Sequence, residues 1–445
     1  AYTIQRNASD DYDVIATEQI SLVQQQTPNH NDDGSTNSSN TRQVTGLVVT
    51  GTASQPVLYV SSSDSRISVG SDSGLDTNSG VVSRLEWNGS SWDKVDIVRG
   101  LPRSEENHSS NGMALDETNN VLYLMQGGHA NKGAPGNNFS GTPEYYLSAA
   151  LLSIDLDMIE AMPISTDLRD GQPFVYDLPT LMDSSRADVG PGDAGYPYAP
   201  GEGRYPEVVD LGDPFGGNNG RNQAIPEPGG PVQIYSPGYR NAYDVVLTEN
   251  GRLYTSDNGP NGGWGGLPLI YDSTGSLKGH QLDGSTVYDP ASGDYCTNEF
   301  NDDGSAGHGD PLYLVQGPGF YGGHPAPIRA FPGLADIIEY QNNGGWTEVY
   351  RESFENLLPA GLTLADFPNN PIECDYQAND ASKYIDIINA STNGITEYTA
   401  SNFGGALQGN ILTASFNGNI YRYAMNAAGD AFVEKEALFG GFGSQ

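Results

Sequence analysis

The residues of this chain that are equipped for chemistry gather in loops. Six histidines are spread over 445 residues, and four of them stand where a strand-like stretch begins or ends. His108 precedes the apolar run in SEENHSSNGMAL, and His129 follows the next strand-like run in QGGHANKG. His308 lies in GHGDP and His324 in FYGGHPAP, while His30 and His280 fall in polar stretches that predict exposed loops. An imidazole at a strand end can take a proton near neutral pH or ligate a metal, and it can equally be an ordinary hydrogen-bonded side chain. Arg240 and Asn241 form a second feature, immediately before a strand. A guanidinium there can grip a planar anion with two parallel hydrogen bonds, or can pin neighbouring carbonyls. The third feature is GPNGGWGG, Gly259–Gly266, which offers backbone carbonyl oxygens and little side chain. That suits a hard cation such as Ca²⁺, or a tight turn. No nucleophile elbow, phosphate loop, dinucleotide fingerprint or Cys/His zinc spacing is present.

The elements that must position these residues are short strands. Tyr235–Gly266 holds two strand signals, Tyr243–Leu247 and Arg252–Ser256, split by the turn sequence Thr248-Glu249-Asn250-Gly251. The same unit, an apolar strand, a polar turn and a second strand, recurs from Gly46, Gly112, Asp244 and Gly405, and Val81–Gly100 adds a further strand pair. Repeated two-strand units predict an all-β, radial or stacked architecture. Their uneven spacing favours a β-propeller with elaborated loops over a solenoid of fixed period. Three insertions interrupt the repeat: Asp188–Pro231, Tyr271–Ala306 and Ala330–Ser391, the last with short helical segments near Phe354–Leu358 and Leu362–Phe367. Residues 1–28 read as a strand pair, and Asp32 and Asp33 lie in a polar turn that could hold Ca²⁺ or simply be solvated. We treat residues 1–445 as one propeller domain, a module or fragment of a larger chain with possible flanking domains, and with blade edges open to self-association.

Composition narrows the partners. Fifty-six acidic against 20 basic residues give a formal charge of −36, which argues against nucleic acid and suits a secreted protein, Ca²⁺ sites, or both. No apolar run reaches membrane-spanning length. The two cysteines, Cys296 and Cys374, would most simply form one disulfide in an exported protein, although spacing alone cannot show that they meet.

The stretch from Arg240 to Gly266, with HSSNGMALDETNNVLYLMQGG before it and FYGGHPAP after it, resembles the soluble quinoprotein glucose/sorbosone dehydrogenase family. The likeness runs from about Arg42 to Tyr423, with its strong matches confined to these stretches, and is closest to dehydrogenase-like modules of large secreted bacterial proteins. It implies a six-bladed β-propeller holding pyrroloquinoline quinone and Ca²⁺ on one face, in a secreted, periplasmic or cell-surface setting. By position, the resemblance implies His108 as catalytic base, Gln43, Arg240 and Asn241 as quinone-binding residues, and the Gly259 and Pro260 carbonyls as Ca²⁺ ligands. Two positions depart from the family. Its Asp after the strand following the catalytic His falls near Gly127, and its late cofactor-binding Lys falls near Asn417.

Three functions follow as expectations. The first is oxidation of a sugar hydroxyl, with hydride passing to the quinone. The second is a non-catalytic module for glycan binding, adhesion or extracellular assembly. The third is a propeller lyase or hydrolase using His108, His129 and tyrosines as acid and base.

Overall fold

The computed structural model describes all residues except 1, 10, 32–36, 40, 68–73, 168–169, 183–213, 218–219, 305–306, 389–390 and 443–445. Sixteen of its strands build four antiparallel sheets. The first takes β1 (Arg42–Thr52), β2 (Gln55–Asp64), β3 (Gly80–Trp87) and β4 (Trp92–Leu101). It is extended outward by Pro173–Asp177, which runs parallel to β4, and by Ser165–Thr166. The second takes β5 (Ser110–Asp116), β6 (Val121–Gln126), β7 (Ala150–Asp155) and β8 (Val232–Pro237). The third takes β9 (Ala242–Leu247), β10 (Leu253–Asp257), β11 (Asp310–Val315) and β12 (Asp386–Ile388). The fourth takes β13 (Thr392–Tyr398), β14 (Asn410–Ser415), β15 (Asn419–Met425) and β16 (Phe432–Phe439). Within each of these sets of four the strands lie side by side in chain order.

The first strands of consecutive sheets pack on one another, β1 on β5, β5 on β9 and β9 on β13, so the sheets radiate from a common axis. This is a β-propeller. The described residues supply four such blades, and a count of six is not established by them.

Strand alternation explains why blade follows blade. On β6, Leu122 and Leu124 join the core shared with the first sheet, whereas Met125 joins the core shared with the third. On β10, Leu253 packs toward the second sheet and Tyr254 toward the fourth. Sheets buried on both faces need apolar side chains at successive positions, which is why VLYLM and ALLSI read as unbroken runs. The end sheets differ. Val44, Leu47 and Val49 on β1 are 50, 59 and 63% exposed, because no described blade covers that face. Part of it is covered instead by Ile20, Leu22 and Val23, which pack on Leu58, Val60, Leu85 and Trp92.

Most expected elements are present. The strand pairs starting at Gly46, Gly112 and Asp244 form β1–β2, β5–β6 and β9–β10, the two inner strands of their blades. The pair from Gly405 is offset: it forms β14–β15, because Thr392–Tyr398 takes the inner place. The N-terminal strand pair is a hairpin, Tyr2–Arg6 with Tyr12–Thr17, followed by a short helix at Leu22–Gln26. The segments expected to be helical in the third insertion are 3₁₀ turns at Glu355–Leu357 and Leu364–Asp366. Asp32, Asp33 and most of the 188–231 insertion lie outside the described residues.

Cys296 and Cys374 are bonded, with Cα atoms 5.7 Å apart across 78 residues. The bridge ties the second insertion to the third beside buried Ala330. A cross-link closing so long a loop removes much entropy from the unfolded chain. Replacing both cysteines by serine is therefore expected to lower the unfolding free energy by roughly 2–4 kcal/mol in denaturant titrations.

Candidate functional site

The residues singled out by sequence meet at one end of the axis, where inner strands begin and end. Asp257, the last residue of β10, sets the register there. Its carboxylate accepts the backbone N–H of Arg240 (2.9 Å) and of Asn241 (2.7 Å), which fixes the entry into β9. Burial pushes its pKa up to about 6, against the lowering effect of those two N–H donors. Asp310, at the start of β11, does the same one step further round, accepting from Gly259 N (3.1 Å) and Thr392 N (2.8 Å). Asn241 adds a tie between blades: its Oδ1 accepts from Asn111 Nδ2 at 2.8 Å, joining β9 to β5.

His108 is buried, and its Nδ1 lies 2.9 Å from the carbonyl of Gly128. A carbonyl only accepts, so Nδ1 carries the proton and Nε2 keeps its lone pair. Burial, then the charge of Arg240, hold the imidazole well below its usual pKa. It is a neutral ring with a fixed tautomer. Arg240 is buried too, and desolvation lowers its pKa to about 10. Its Nε donates to Asn131 Oδ1 (2.9 Å) and its Nη1 to Asn258 O (3.2 Å).

Phe139 lies against both His108 and Arg240. Its ring centroid is 4.9 Å from that of His108 and 5.8 Å from the Arg240 guanidinium carbon, with Trp264 edge-on at 6.2 Å. Phe139 belongs to the long β6–β7 connection, Gly127–Ala149, which folds over the axial end and is almost wholly buried. Lys132 in this connection donates to the carbonyls of Trp264 (3.2 Å) and Gly265 (3.3 Å), and Asn131 Nδ2 donates to Asn261 O (2.9 Å) and Trp264 O (2.7 Å). The Gly-rich loop after β10 is thereby gripped by its neighbour.

The connection is anchored by Glu144, fully buried. Its two oxygens accept from His129 N, Ala130 N, Ser148 Oγ and His324 Nε2, at 2.5–2.8 Å. Burial alone would raise this carboxyl, yet the His324 contact and the other donors hold it at about 2. His129 lies beside it, fully buried and stacked on Tyr145 at 3.9 Å, with neither ring nitrogen hydrogen-bonded among the described residues. Burial drives its pKa down to about 4.

His108, Arg240, Asn241, Gly259 and Pro260 are thus assembled around one axis. Gln43 is linked to the same end through Arg103, whose Nη2 is 3.5 Å from Gln43 Oε1. His30, expected to be exposed, is buried against Phe215. Asp257, Asp310, Phe139 and Glu144 were missed by sequence reasoning. The recurring strand ending in VSSSD and YTSD marks Asp64 and Asp257, whereas nothing near Phe139 or Glu144 in the sequence signals a site.

These residues do not fit the quinone and the cation that the resemblance implies. A phenyl ring, Phe139, packs against both His108 and Arg240, two of the guanidinium's three nitrogens are used by the protein, and Lys132 is bound to carbonyls. The Pro260 carbonyl accepts from His308 N at 3.2 Å, and a Cβ at Gly259 would stand 2.5 Å from the Gly309 carbonyl, so the loop is packed on its neighbour. Among the described residues no group of three or more His, Cys, Asp or Glu side chains could hold a metal. The position of the family's Asp, Gly127, has no room for one: a Cβ there would lie 2.7 Å from Asn241 Oδ1 and 2.8 Å from His108 Cβ. Asn417, at the place of the family's Lys, is exposed in a turn and donates to Tyr421.

No protein-family profile matches the chain. No curated protein matches it. Among solved structures it is similar to a Thermus thermophilus protein named as an oxidoreductase (glucose dehydrogenase), at 13% identity and TM-score 0.34, covering 87% of this chain and 68% of that one. It is also similar to the PQQ-bound aldose sugar dehydrogenase of Streptomyces coelicolor, at 13% identity and TM-score 0.24, with 91% and 87% covered. The holo PQQ domain of pyranose dehydrogenase from Coprinopsis cinerea matches at 9% identity and TM-score 0.33, with 90% and 80% covered.

The state of His129 has a measurable consequence. In the unfolded chain it takes a proton below about 6.5, but in the folded chain only near 4. Its contribution to stability is therefore present at neutral pH and lost as pH falls through that window. Relative to a His129→Phe variant, which keeps the stacking on Tyr145, the wild type is expected to lose about 2 kcal/mol between pH 7 and pH 5. Paired denaturant titrations at the two pH values check it, and parallel curves would refute it.

Proposed function

We propose that this chain is a non-catalytic, exported β-propeller module, used for glycan binding or extracellular assembly. The single observation that carries the reading is the closure of the axial end, where Phe139 packs against both His108 and Arg240 and all three are buried. A site that must admit a tricarboxylate cofactor and a sugar needs open, cationic surface, and here the nearby cations are turned onto backbone carbonyls. The formal charge of −36 adds a general repulsion toward such a ligand. Export is supported by the disulfide, which persists in oxidising compartments. No helix among the described residues is long and apolar enough to cross a membrane.

One observation favours a second reading, oxidation of a sugar hydroxyl. His108 is a neutral imidazole whose Nδ1–H is held by the Gly128 carbonyl, leaving Nε2 able to accept a proton. The two readings separate in one set of measurements on the intact chain. Titration with pyrroloquinoline quinone and Ca²⁺ is expected to give no uptake at micromolar cofactor, and a sugar panel no dye reduction. Glycan-array binding is expected to survive His108→Ala unchanged. Micromolar quinone uptake with sugar-dependent dye reduction that His108→Ala abolishes would overturn the non-catalytic reading and establish the second.

A further inference from the structure

The axis is hollow beyond the residues that gather around His108. The later parts of the inner strands enclose a cavity of about 590 Å³, inside the range of roughly 300–1,000 Å³ that small-molecule sites occupy. Its walls are apolar. Val49 comes from β1, Met113 and Leu115 from β5, Leu247 from β9 and Ile395 from β13, so every blade contributes. Among the described residues the charged side chains that line it are Asp244 and Glu117, both acidic, and no cationic side chain does.

Glu117 is exposed where β5 ends, and its Oε1 accepts from Thr50 Oγ1 at 2.6 Å. Asp244 lies further in, near the start of β9. It can stand there because β5 places Gly112 opposite, where any Cβ would collide with Asp244 Oδ1. Oδ1 accepts from Val245 N at 2.9 Å and Oδ2 from Ile395 N at 3.2 Å, which fixes the carboxylate between β9 and β13. Each oxygen keeps a further lone pair. Burial pushes the pKa of Asp244 up to about 6, although both N–H donors act to lower it. Asp244 and Ile395 also border a second hollow of about 300 Å³ against β13 and β14.

We propose that the axial cavity is a binding site for a small amphipathic cation, an ammonium head on an apolar body. The head pairs with Asp244, and the body lies against Met113, Leu115, Leu247 and Ile395. A carboxylate that faces an apolar space without a cation is costly, and a ligand ammonium relieves that cost while its body covers apolar wall. This site is separate from His108 and Arg240 and goes beyond the non-catalytic reading.

The probe is octylammonium, titrated calorimetrically into the intact chain beside octanol, octanoate and ethylammonium. Octylammonium is expected to bind saturably. Octanol lacks the charge, octanoate reverses it and ethylammonium lacks the body, so each is expected to bind at least about tenfold more weakly. Asp244→Asn is expected to weaken octylammonium by at least about tenfold and to leave octanol unchanged. Thr396 is an exposed residue of the cavity wall, and Thr396→Trp, which adds bulk without touching the carboxylate, is expected to weaken octylammonium as well. A surface of formal charge −36 attracts any cation diffusely, so the titration is repeated in about 1 M salt, where the screening length falls to about 3 Å. Saturable binding is expected to remain.

Absence of saturable octylammonium binding by the wild type would overturn the proposal. So would binding that vanishes in high salt, octanol binding as tightly as octylammonium, or full-strength binding by a folded Asp244→Asn. Should Asp244→Asn fail to fold by far-UV circular dichroism, Thr396→Trp decides, and undiminished binding there overturns the proposal. None of these results bears on quinone uptake, so failure here leaves the non-catalytic reading standing.

Discussion

The carboxylate of Glu144 is what the axial end of this propeller depends on. A charge removed from water survives only when its lone pairs are met, and here two backbone N–H groups, a serine hydroxyl and the His324 imidazole meet them. Those donors come from both ends of the β6–β7 connection and from the segment after β11. One buried anion therefore fastens a long connection at its root and docks it on the third blade. Nearby, Arg329 pairs with Glu373 through Nε (2.8 Å) and spreads its Nη1 over the carbonyls of Tyr146 (2.8 Å) and Ser148 (2.6 Å), so the same connection is also gripped from the edge of the third insertion. Such networks are stable only when complete. With the root fixed, the tip carrying Phe139 has little choice of position.

The blades solve a different problem by repetition. Each sheet buries both faces against neighbours, and side-chain alternation assigns successive residues of β6, β10 and β11 to different cores. Asp257 and Asp310, one at the end of a strand and one at the start, accept backbone N–H groups from the adjoining chain and so lock register at the axis. That is why Arg240 and Asn241 arrive at a defined place. Among the described residues the face of β1 lacks such a neighbour, and its valines and leucine remain in contact with solvent.

Local signals carried far in this chain, but unevenly. Strand pairs were legible because alternation and turn residues act over a few positions, and β9–β10 fell within a residue of expectation at each end. The pair from Gly405 was legible as strands but not as β14–β15, since its rank in the sheet depends on a partner, β13, supplied by a preceding segment. The disulfide was a possibility in the sequence and a fact only once two insertions folded side by side. His30 reads as exposed in its polar stretch, yet a phenylalanine from 185 residues later covers it.

By itself, then, the sequence determined the strands, the turns, the acidic surface and the residues that gather at one end of the axis, because each is a property of neighbouring residues or of bulk composition. It placed His108, Arg240, Asn241, Gly259 and Pro260 in loops at strand ends, where they are found. What tertiary structure alone decided is whether those residues face a ligand or face one another. That depended on Phe139, which carries no chemical signature, and on Glu144, whose partners are up to 180 residues away. A phenyl ring comes to cover these groups only when long-range packing sets it against an imidazole and a guanidinium.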